Sequence, residues 1–247
     1  EIFDGDLNFD EEAEFQQDHR DGTDYAVNSA LGLDVGSGRL NINGYYVLTN
    51  RKERETTTVL EGPRDALEPV ALETQLEDIK QQSYGAFGVF TQPVGAAELE
   101  FSLGYAVFDE DTTEFETELD LEDMDYEEDE SSLKILDKEL QGGMSVKLAF
   151  GGSVVNKTGV DVRRAKRSGL QLGEAVDVEA EITSLRIAPY TKFTFELSSA
   201  LHVEAGVRYE RYNRKVTNDD GAGELKDGRV LPSFNARLDL SPSDRLR

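Results

Sequence analysis

The segments LHVEAGVRYERYNRKV (residues 201–216) and VLPSFNARLDL (residues 230–240) decide the fold class of this chain. Apolar side chains alternate with polar or small ones in both: Leu201, Val203, Ala205, Val207 and Tyr209 in the first, and Phe234, Ala236, Leu238 and Leu240 in the second. A repeat of two residues places successive side chains on opposite faces of a β-strand. The sequence therefore predicts two strands, each with one apolar face, joined by the polar loop 218–229.

The same alternation recurs from residue 25 onward, and it predicts nine strands and an all-β chain. The clearest case is residues 98–108, whose apolar positions are Leu99, Phe101, Leu103, Tyr105 and Val107. Short turns are expected near Gly36, Pro93, Gly151, Ser199 and Pro242, and they alternate with longer polar connections at 56–75, 109–130, 165–177 and 218–229. An antiparallel up-and-down meander with this rhythm is typical of transmembrane β-barrels, which have short periplasmic turns and longer extracellular loops.

Composition narrows the function classes. The chain has 51 Asp and Glu against 26 Lys and Arg, a formal net charge of -25, which argues against nucleic acid as a partner. It has no cysteine, so disulfides and thiolate metal sites are excluded. No run of ~18 apolar residues exists for a membrane-spanning helix, but a spanning β-strand needs only ~9–11 residues with every second one apolar.

Two stretches of the sequence also resemble a known protein family. AGVRYE at residues 205–210 followed by VLPSFNARLDL at 230–240 resembles the barrel region of TonB-dependent outer-membrane receptors. DKELQGGMSVKLAFGGSVVNKTGVDVRRAKR, residues 137–167, is similar to an earlier hairpin of these barrels, with a short glycine turn and a second strand that ends in a basic cluster. The resemblance extends over residues 25–247. The other strands in this range resemble the family only in the alternation of short turns and long connections.

The resemblance implies a β-barrel in the outer membrane of a Gram-negative bacterium. The implied activity is energised uptake of a bulky nutrient of the siderophore, cobalamin or glycan class. Its implied partners are the nutrient, outer-membrane lipid and lipopolysaccharide, and TonB, which would contact a part of the receptor outside this segment. Tyr25, Tyr46, Tyr105 and Tyr209 are either tyrosines of an interfacial girdle or ordinary strand aromatics.

Two parts are expected: an acidic loop or frayed strand at residues 1–24, and a partial TonB-dependent-receptor-like barrel at residues 25–247. Nine strands are far fewer than the ~22 of plugged outer-membrane transporters. The chain shows no plug domain, no TonB-box segment and no terminal strand with a final aromatic residue. The sequence therefore predicts an internal section of a receptor, which supplies barrel wall and long acidic extracellular loops.

Two acidic motifs suggest metal-binding sites, but the sequence argues against both sites. DGDLNFD at residues 4–10 is similar to a calcium loop, but Phe9 stands where an EF-hand needs glycine and Phe15 where it needs glutamate. Residues 109–130 carry 14 carboxylates in 22 residues and could collect divalent cations weakly. The favoured interpretation is a solvated extracellular loop kept extended by repulsion between like charges.

The remaining site hypotheses are weaker. Arg163, Arg164, Lys166 and Arg167 form a basic cluster that could bind lipopolysaccharide phosphates or could be a solvated strand end. His19 and His202 are far apart, and no phosphate loop, nucleotide fingerprint or nucleophile elbow is present. We therefore predict no enzyme, no catalytic residue, no cofactor and no metal site, and the ligand-binding residues are left unknown.

A soluble or surface-attached all-β binding module with acidic cation- or glycan-binding loops is the alternative. That module would stack two sheets and bury Phe101 and Leu103 in a protein core, whereas a barrel would leave both side chains exposed. A complete small barrel is a third option, which the odd strand count opposes.

Overall fold

A single antiparallel sheet contains all the regular structure that is described. The structure, a computed structural model, describes residues 10–63, 66–173, 178–219, 221–239 and 245–246. Its strands are β1 (Asp10–Val35), β2 (Gly38–Pro63), β3 (Glu68–Val94), β4 (Ala97–Asp120), β5 (Tyr126–Phe150), β6 (Val154–Leu172), β7 (Val178–Glu196), β8 (Leu201–Asn218), β9 (Gly221–Asp239) and the two-residue β10 (Arg245–Leu246). They lie in the sheet in chain order.

The predicted all-β, up-and-down meander is confirmed. Nine long strands are present, and each one pairs antiparallel with the next. Among the residues described, β1 pairs only with β2, so the sheet is not closed into a complete barrel. No helix long and apolar enough to cross a membrane occurs in the described part of the chain.

Tight turns join the strands at one end of the sheet, as predicted near Gly36 and Gly151. Gly36 has a φ of 64° and Gly95 a φ of 61°. Both lie in the left-handed region that two-residue hairpin turns require and that glycine adopts without strain. β1 begins at Asp10, although the apolar alternation starts only at Tyr25. Residues 1–9, which include most of the calcium-like motif, lie outside the described residues.

The predicted long loops at the other end are wrong. Segments 56–75, 109–130, 165–177 and 218–229 are mostly paired strand wherever the structure describes them. At this end β2 reaches Pro63 and β3 begins at Glu68, β6 reaches Leu172 and β7 begins at Val178, and β8 reaches Asn218 and β9 begins at Gly221. The acidic run continues β4 to Asp120 and starts β5 at Tyr126. Apolar alternation marks a strand only where one face avoids water, whereas backbone pairing continues where both faces are polar. The strands thus extend well past the ~10 residues that cross a membrane.

The two faces of the sheet differ sharply over the half that is nearest the tight turns. One face, here called the apolar face, carries Phe101, Leu103, Tyr105, Met144 and Phe234, all of them exposed. The exposed fraction is 44% for Phe101 and 63% for Leu103. The opposite face, here called the polar face, carries the small and charged side chains. These exposures and the single sheet contradict the soluble two-sheet module, which required both residues to be buried.

A hydrophobic core is almost absent. Within the described residues, only Ile79, Val107 and Ala188 are buried apolar residues, and no large side chain is fully buried. The accessible surface is 17500 Å², against about 11,000 Å² expected for a folded globular monomer of this mass. Pairing between strands, rather than packing of layers, holds the chain in this conformation.

One polar cluster interrupts the apolar face near the tight turns. Asn156 is only 8% exposed, and its side-chain amide donates to Thr191 Oγ1 at 3.0 Å and to the Lys192 carbonyl at 3.2 Å. The Thr158 hydroxyl donates to Asn156 Oδ1 at 3.0 Å and lies 2.8 Å from Thr191 Oγ1. The cluster satisfies its own hydrogen bonds, which an apolar environment requires of polar groups.

Gly159 allows a close approach between β5, β6 and β7. A Cβ atom at this position would lie 2.5 Å from the Met144 carbonyl oxygen and 3.0 Å from the Tyr190 hydroxyl. Gly169 lies on the same face of the same strand, and its Cβ would meet nothing nearer than the Lys134 carbonyl at 3.9 Å.

We expect Gly159→Ala to lower the free energy of unfolding by about 1–3 kcal/mol, because the added methyl group must push a backbone carbonyl away. Gly169→Ala should be neutral or slightly stabilising, since it fits and reduces the freedom of the unfolded chain. Urea unfolding of the protein in lipid vesicles measures both. Equal losses for the two variants would contradict the close-approach explanation.

Candidate functional site

Strand alternation and register place polar side chains of every long strand on the polar face. One row that crosses the sheet consists of Ala30, Asn43, Phe87, Gly104, Gln141, Arg163, Arg186, Tyr212 and Asp227. The concave cavities of the sheet border this face.

A first cavity of about 500 Å³ lies over β1 to β5. Its polar lining includes Asn28, Asn43, Tyr45, Glu139 and Gln141, and glycine and alanine lie between them. The amide and hydroxyl groups among them can donate and accept hydrogen bonds without imposing a charge, and the Glu139 carboxylate pairs with Arg163. The small residues leave the space open.

An arginine cluster lies on the polar face of β7 to β9. Its centre is Glu210, whose side chain is only 12% exposed. The Glu210 carboxylate contacts Arg208 at 3.0 Å, Arg229 at 3.5 Å and Arg186 at 3.7 Å. Arg208 also pairs with Asp161 at 2.9 Å and lies over the Tyr190 ring, 5.8 Å from its centroid. We call Arg186, Arg208, Arg229 and Glu210 the arginine cluster. The three guanidinium groups face two carboxylates, Glu210 and Asp161, and the remaining positive charge can bind a further anion.

Next to this cluster is a second cavity, of about 410 Å³, lined by Arg163, Arg167, Tyr212 and Arg214 among others. Arg163 pairs with Glu139, and Arg167 makes two contacts to Asp137. Arg214 forms no ion pair with any described residue. Guanidinium groups bind carboxylates and phosphates with two parallel hydrogen bonds, so this cavity suits an anionic or chelating group.

Carboxylates dominate the polar face farther from the tight turns, on β2 to β4. Glu53, Glu77 and Glu114 stand directly opposite one another on three neighbouring strands. Glu116 lies two residues farther along β4, on the same face as Glu114. Here we call these four residues the carboxylate array. Arg20 at 3.3 Å and Arg51 at 2.6 Å bind Glu53. Like charges across neighbouring strands are destabilising unless countered.

Two members of the array have raised pKa values. Burial contributes most to the raised pKa of Glu77, followed by repulsion from Glu53 and Glu114, while Arg51 acts in the opposite direction. Burial is also the largest cause of the raised pKa of Glu116, and repulsion from Glu114 and other acids comes next. The array therefore takes up protons more readily than free glutamates do.

Several predicted site residues separate in the structure. The basic cluster at residues 163–167 is split by strand alternation: Arg163 and Arg167 lie on the polar face, and Arg164 and Lys166 on the apolar face. His19 lies on β1 and His202 on β8, so the histidines do not meet. No group of His, Asp and Glu among the described residues could hold a metal ion.

The arginine cluster and Tyr212 were missed by the sequence analysis. Their sequence signal is alternation on the polar side of predicted strands, as at Arg208, Glu210 and Tyr212. Alternation shows that these side chains share a face, but only the pairing with β7 and β9 shows that Arg186 and Arg229 join them.

Protonation of the array should alter stability with a definite sign. Because the pKa of Glu77 is raised in the folded state, that state binds protons that the unfolded state has released. Stability should therefore rise as the pH falls from neutral through the raised pKa toward the ordinary glutamate range. We expect Glu77→Gln to increase the melting temperature at neutral pH and to flatten this dependence.

Glu181→Gln is the matched control variant, and it should change the melting temperature at neutral pH in the opposite direction. The hydrogen bond from Lys166 lowers the pKa of Glu181, so its stabilisation is present at neutral pH and lost in acid. This variant should lower the melting temperature at neutral pH. Thermal scans across the pH series test both, and a destabilised Glu77→Gln at neutral pH would refute the repulsion within the array.

Comparison with known proteins identifies the family and the fold of this chain. The family described as TonB dependent receptor-like, beta-barrel matches residues 3–247. No curated protein matches the chain. Among solved structures, it is similar to the copper transporter OprC, with a TM-score of 0.53 and 12% identity over 96% of this chain and 43% of that one. It is also similar to the ferripyoverdine receptor of the outer membrane of Pseudomonas aeruginosa, with a TM-score of 0.50 and 10% identity over 93% and 40% of the two chains.

The chain spans less than half the length of these two structures. At this identity they establish the fold alone, and the family match over almost the whole chain establishes the membership. Proteins of this family are receptors and transporters of the Gram-negative outer membrane rather than enzymes, and they bind ligands such as siderophores and act with TonB. The predicted resemblance is confirmed: this chain belongs to the TonB-dependent receptor-like β-barrel family.

Proposed function

We propose that this chain is a section of the barrel wall of an outer-membrane receptor that imports a bulky nutrient with energy delivered through TonB. The observation that supports this most directly is the division of one continuous sheet into an exposed apolar face and a polar face that borders cavities of about 500 and 410 Å³. A porous barrel needs this combination of a lipid-facing exterior and a polar interior. TonB and a plug would contact the barrel through other parts of the polypeptide.

The apolar face is proposed to contact outer-membrane lipid. On β4 its apolar positions run from Leu99 to Val107 and are followed by Asp109. That span of about 9 residues matches the ~9–11 residues with which a tilted strand crosses the hydrocarbon layer. Leu103 lies at its middle. The tight turns would then lie in the periplasm, and the polar strand extensions would project outside the cell.

The nutrient is proposed to be a negatively charged iron chelate of the siderophore class, rather than a cobalamin or a glycan. The arginine cluster and Arg214, which has no ion-pair partner in the described part of the chain, offer guanidinium groups to carboxylate, catecholate or hydroxamate oxygens. The carboxylate array repels the same ligand from the neighbouring strands. These two charge groups together would direct the ligand toward β6 to β9.

A single charge placed on either face tests the membrane orientation. Leu103→Arg should cost about 2–4 kcal/mol of folding free energy in bilayers, the range measured for arginine at the midplane of barrel proteins. Gln141→Arg adds the same guanidinium to the polar face beside the first cavity and should change stability by about 0.5 kcal/mol or less. Refolding into phospholipid vesicles at a series of urea concentrations measures both. Equal costs would exclude lipid contact at Leu103.

Uptake is tested with the full receptor in its native host. Cells that express it should accumulate one ferric siderophore from a panel that also contains cobalamin and oligosaccharides, and a strain that lacks TonB should not. Arg214→Glu should raise the KM for uptake by tenfold or more without reducing the amount of receptor in the outer membrane. Uptake of only neutral glycans, or uptake without TonB, would overturn the proposal.

A further inference from the structure

A third cavity, of about 390 Å³, lies on the polar face of β2 to β5 at the end of the sheet opposite the tight turns. It is here called the outer cavity. Six of the carboxylates that line it belong to the polar face, and we call them the outer carboxylates: Glu55, Glu73, Glu116, Glu118, Glu127 and Asp129. Glu116 also belongs to the carboxylate array.

Register arranges the outer carboxylates in two neighbouring rows that cross the sheet. In the first row, Gln75 on β3 stands between Glu55 on β2 and Glu116 on β4. Asp129 on β5 follows Glu116 in the same row. The Gln75 side-chain amide donates to Glu114, so it does not neutralise the acids on either side.

The second row contains three glutamates in succession. Glu73 on β3 faces Glu118 on β4, and Glu118 faces Glu127 on β5. Thr57 on β2 faces Glu73 and completes the row. Facing side chains on neighbouring strands have Cβ atoms about 5 Å apart, and like charges at this distance destabilise a sheet.

The protein does not neutralise these charges. Within the residues that the structure describes, none of the outer carboxylates forms an ion pair. Arg20 and Arg51 lie on the same face nearer the tight turns, and both bind Glu53. Burial, followed by repulsion from neighbouring acids that include Asp129, raises the pKa of Glu116. The cavity therefore combines concentrated negative charge with partial burial.

A buried hydroxyl borders the same cavity. Thr57 is only 8% exposed, and its side chain points from the polar face into the cavity that it lines. In the described part of the chain, this side chain makes no hydrogen bond. Buried polar groups in proteins normally have a hydrogen-bond partner. An oxygen acceptor without one, beside a cavity lined by carboxylates, points to a ligand that donates hydrogen bonds.

We propose that the outer cavity binds an organic polycation, a flexible chain with two or more ammonium groups that donate to the outer carboxylates and to Thr57 Oγ1. Ammonium groups joined by short alkyl linkers match the roughly 5 Å between facing carboxylates. An ammonium group has three donors and no acceptor, which suits an all-acceptor lining. The volume of the cavity lies within the range of small-molecule sites.

Such a chain has two possible sources. It arrives as a free polyamine or as an amine-bearing arm of the imported chelate, and the second source rests on the proposed function. The carboxylates that repel the anionic centre of a chelate would attract a cationic arm. A chelate of this kind would place its arm on β2 to β5 and its anionic centre near the arginine cluster.

A single metal ion fits this arrangement less well than a chain. No group of His, Asp and Glu in the described ranges could hold a metal ion. The two rows cross four strands, a width of roughly 15 Å. The site also differs from the acidic run at 109–130, because alternation sends Asp111 and Glu130 to the other face while Glu55 and Glu73 come from other strands.

The full receptor, purified in detergent, tests the site by calorimetric titration with spermidine. Spermidine should bind at least tenfold more tightly than propylamine, which carries one ammonium group. Glu73→Gln, Glu118→Gln and Glu127→Gln together should weaken spermidine binding at least tenfold. Thr57→Val keeps the shape of the side chain but removes the hydroxyl, and it should weaken binding about threefold. If the glutamine set does not fold, Glu118→Gln alone should weaken binding about threefold.

A charge-matched set controls for the acidity of the whole protein. Glu122→Gln, Asp123→Asn and Glu130→Gln remove three exposed carboxylates that do not line the cavity, and affinity should stay within about twofold of the wild type. An equal loss in this control set, unchanged binding in the glutamine set or in Thr57→Val, or calcium that binds as tightly as spermidine would overturn the site.

Uptake by cells that express the receptor identifies the source of the chain. A ferric chelate with a free amine arm is compared with its N-acetylated form. At least fivefold slower uptake of the acetylated form assigns the site to the chelate, and equal uptake assigns it to a free polyamine. Spermidine binding by a receptor that takes up no ferric chelate would refute only the proposed function, whereas normal uptake by a receptor that does not bind spermidine would refute only this inference.

Discussion

Backbone hydrogen bonding between neighbouring strands is the interaction on which this structure depends. Strands of 18 to 27 residues pair along nearly their whole length, and only Ile79, Val107 and Ala188 are buried apolar residues among those described. A sheet of one layer cannot gain stability from a hydrophobic core of its own. Its apolar face must instead be covered by something outside the sheet, and the cover that we propose is the lipid of the outer membrane.

Alternation then assigns each side chain to one of two environments. Neighbouring residues such as Arg163 and Arg164 meet opposite surroundings, because a shift of one position moves a side chain through the sheet. The polar face can therefore carry charges in quantity without disturbing the apolar one. Conversely, polar groups on the apolar face must satisfy one another, as Asn156, Thr158 and Thr191 do.

Acidic side chains predominate on one part of the polar face and arginines on another. Burial, followed by repulsion from the facing carboxylates of β2 and β4, raises the pKa of Glu77, while three arginines from β7 to β9 share Glu210. A curved wall with such a pattern presents a repulsive sector and an attractive sector to an anion. In the proposed receptor, this pattern would contribute to the selection of an anionic ligand.

The sequence by itself determined the fold class and the faces, because apolar alternation at Leu99 to Val107 and the recurring short turns depend only on local chemistry. It indicated that the strand continues past Asp109 through TEFETELDLE, which keeps the period of two, but the pattern there is too sparse to fix where β4 ends and β5 begins. It also could not bring Arg186 and Arg229 to Glu210. Those neighbours are decided by the register between strands, which arises only when the whole sheet has assembled.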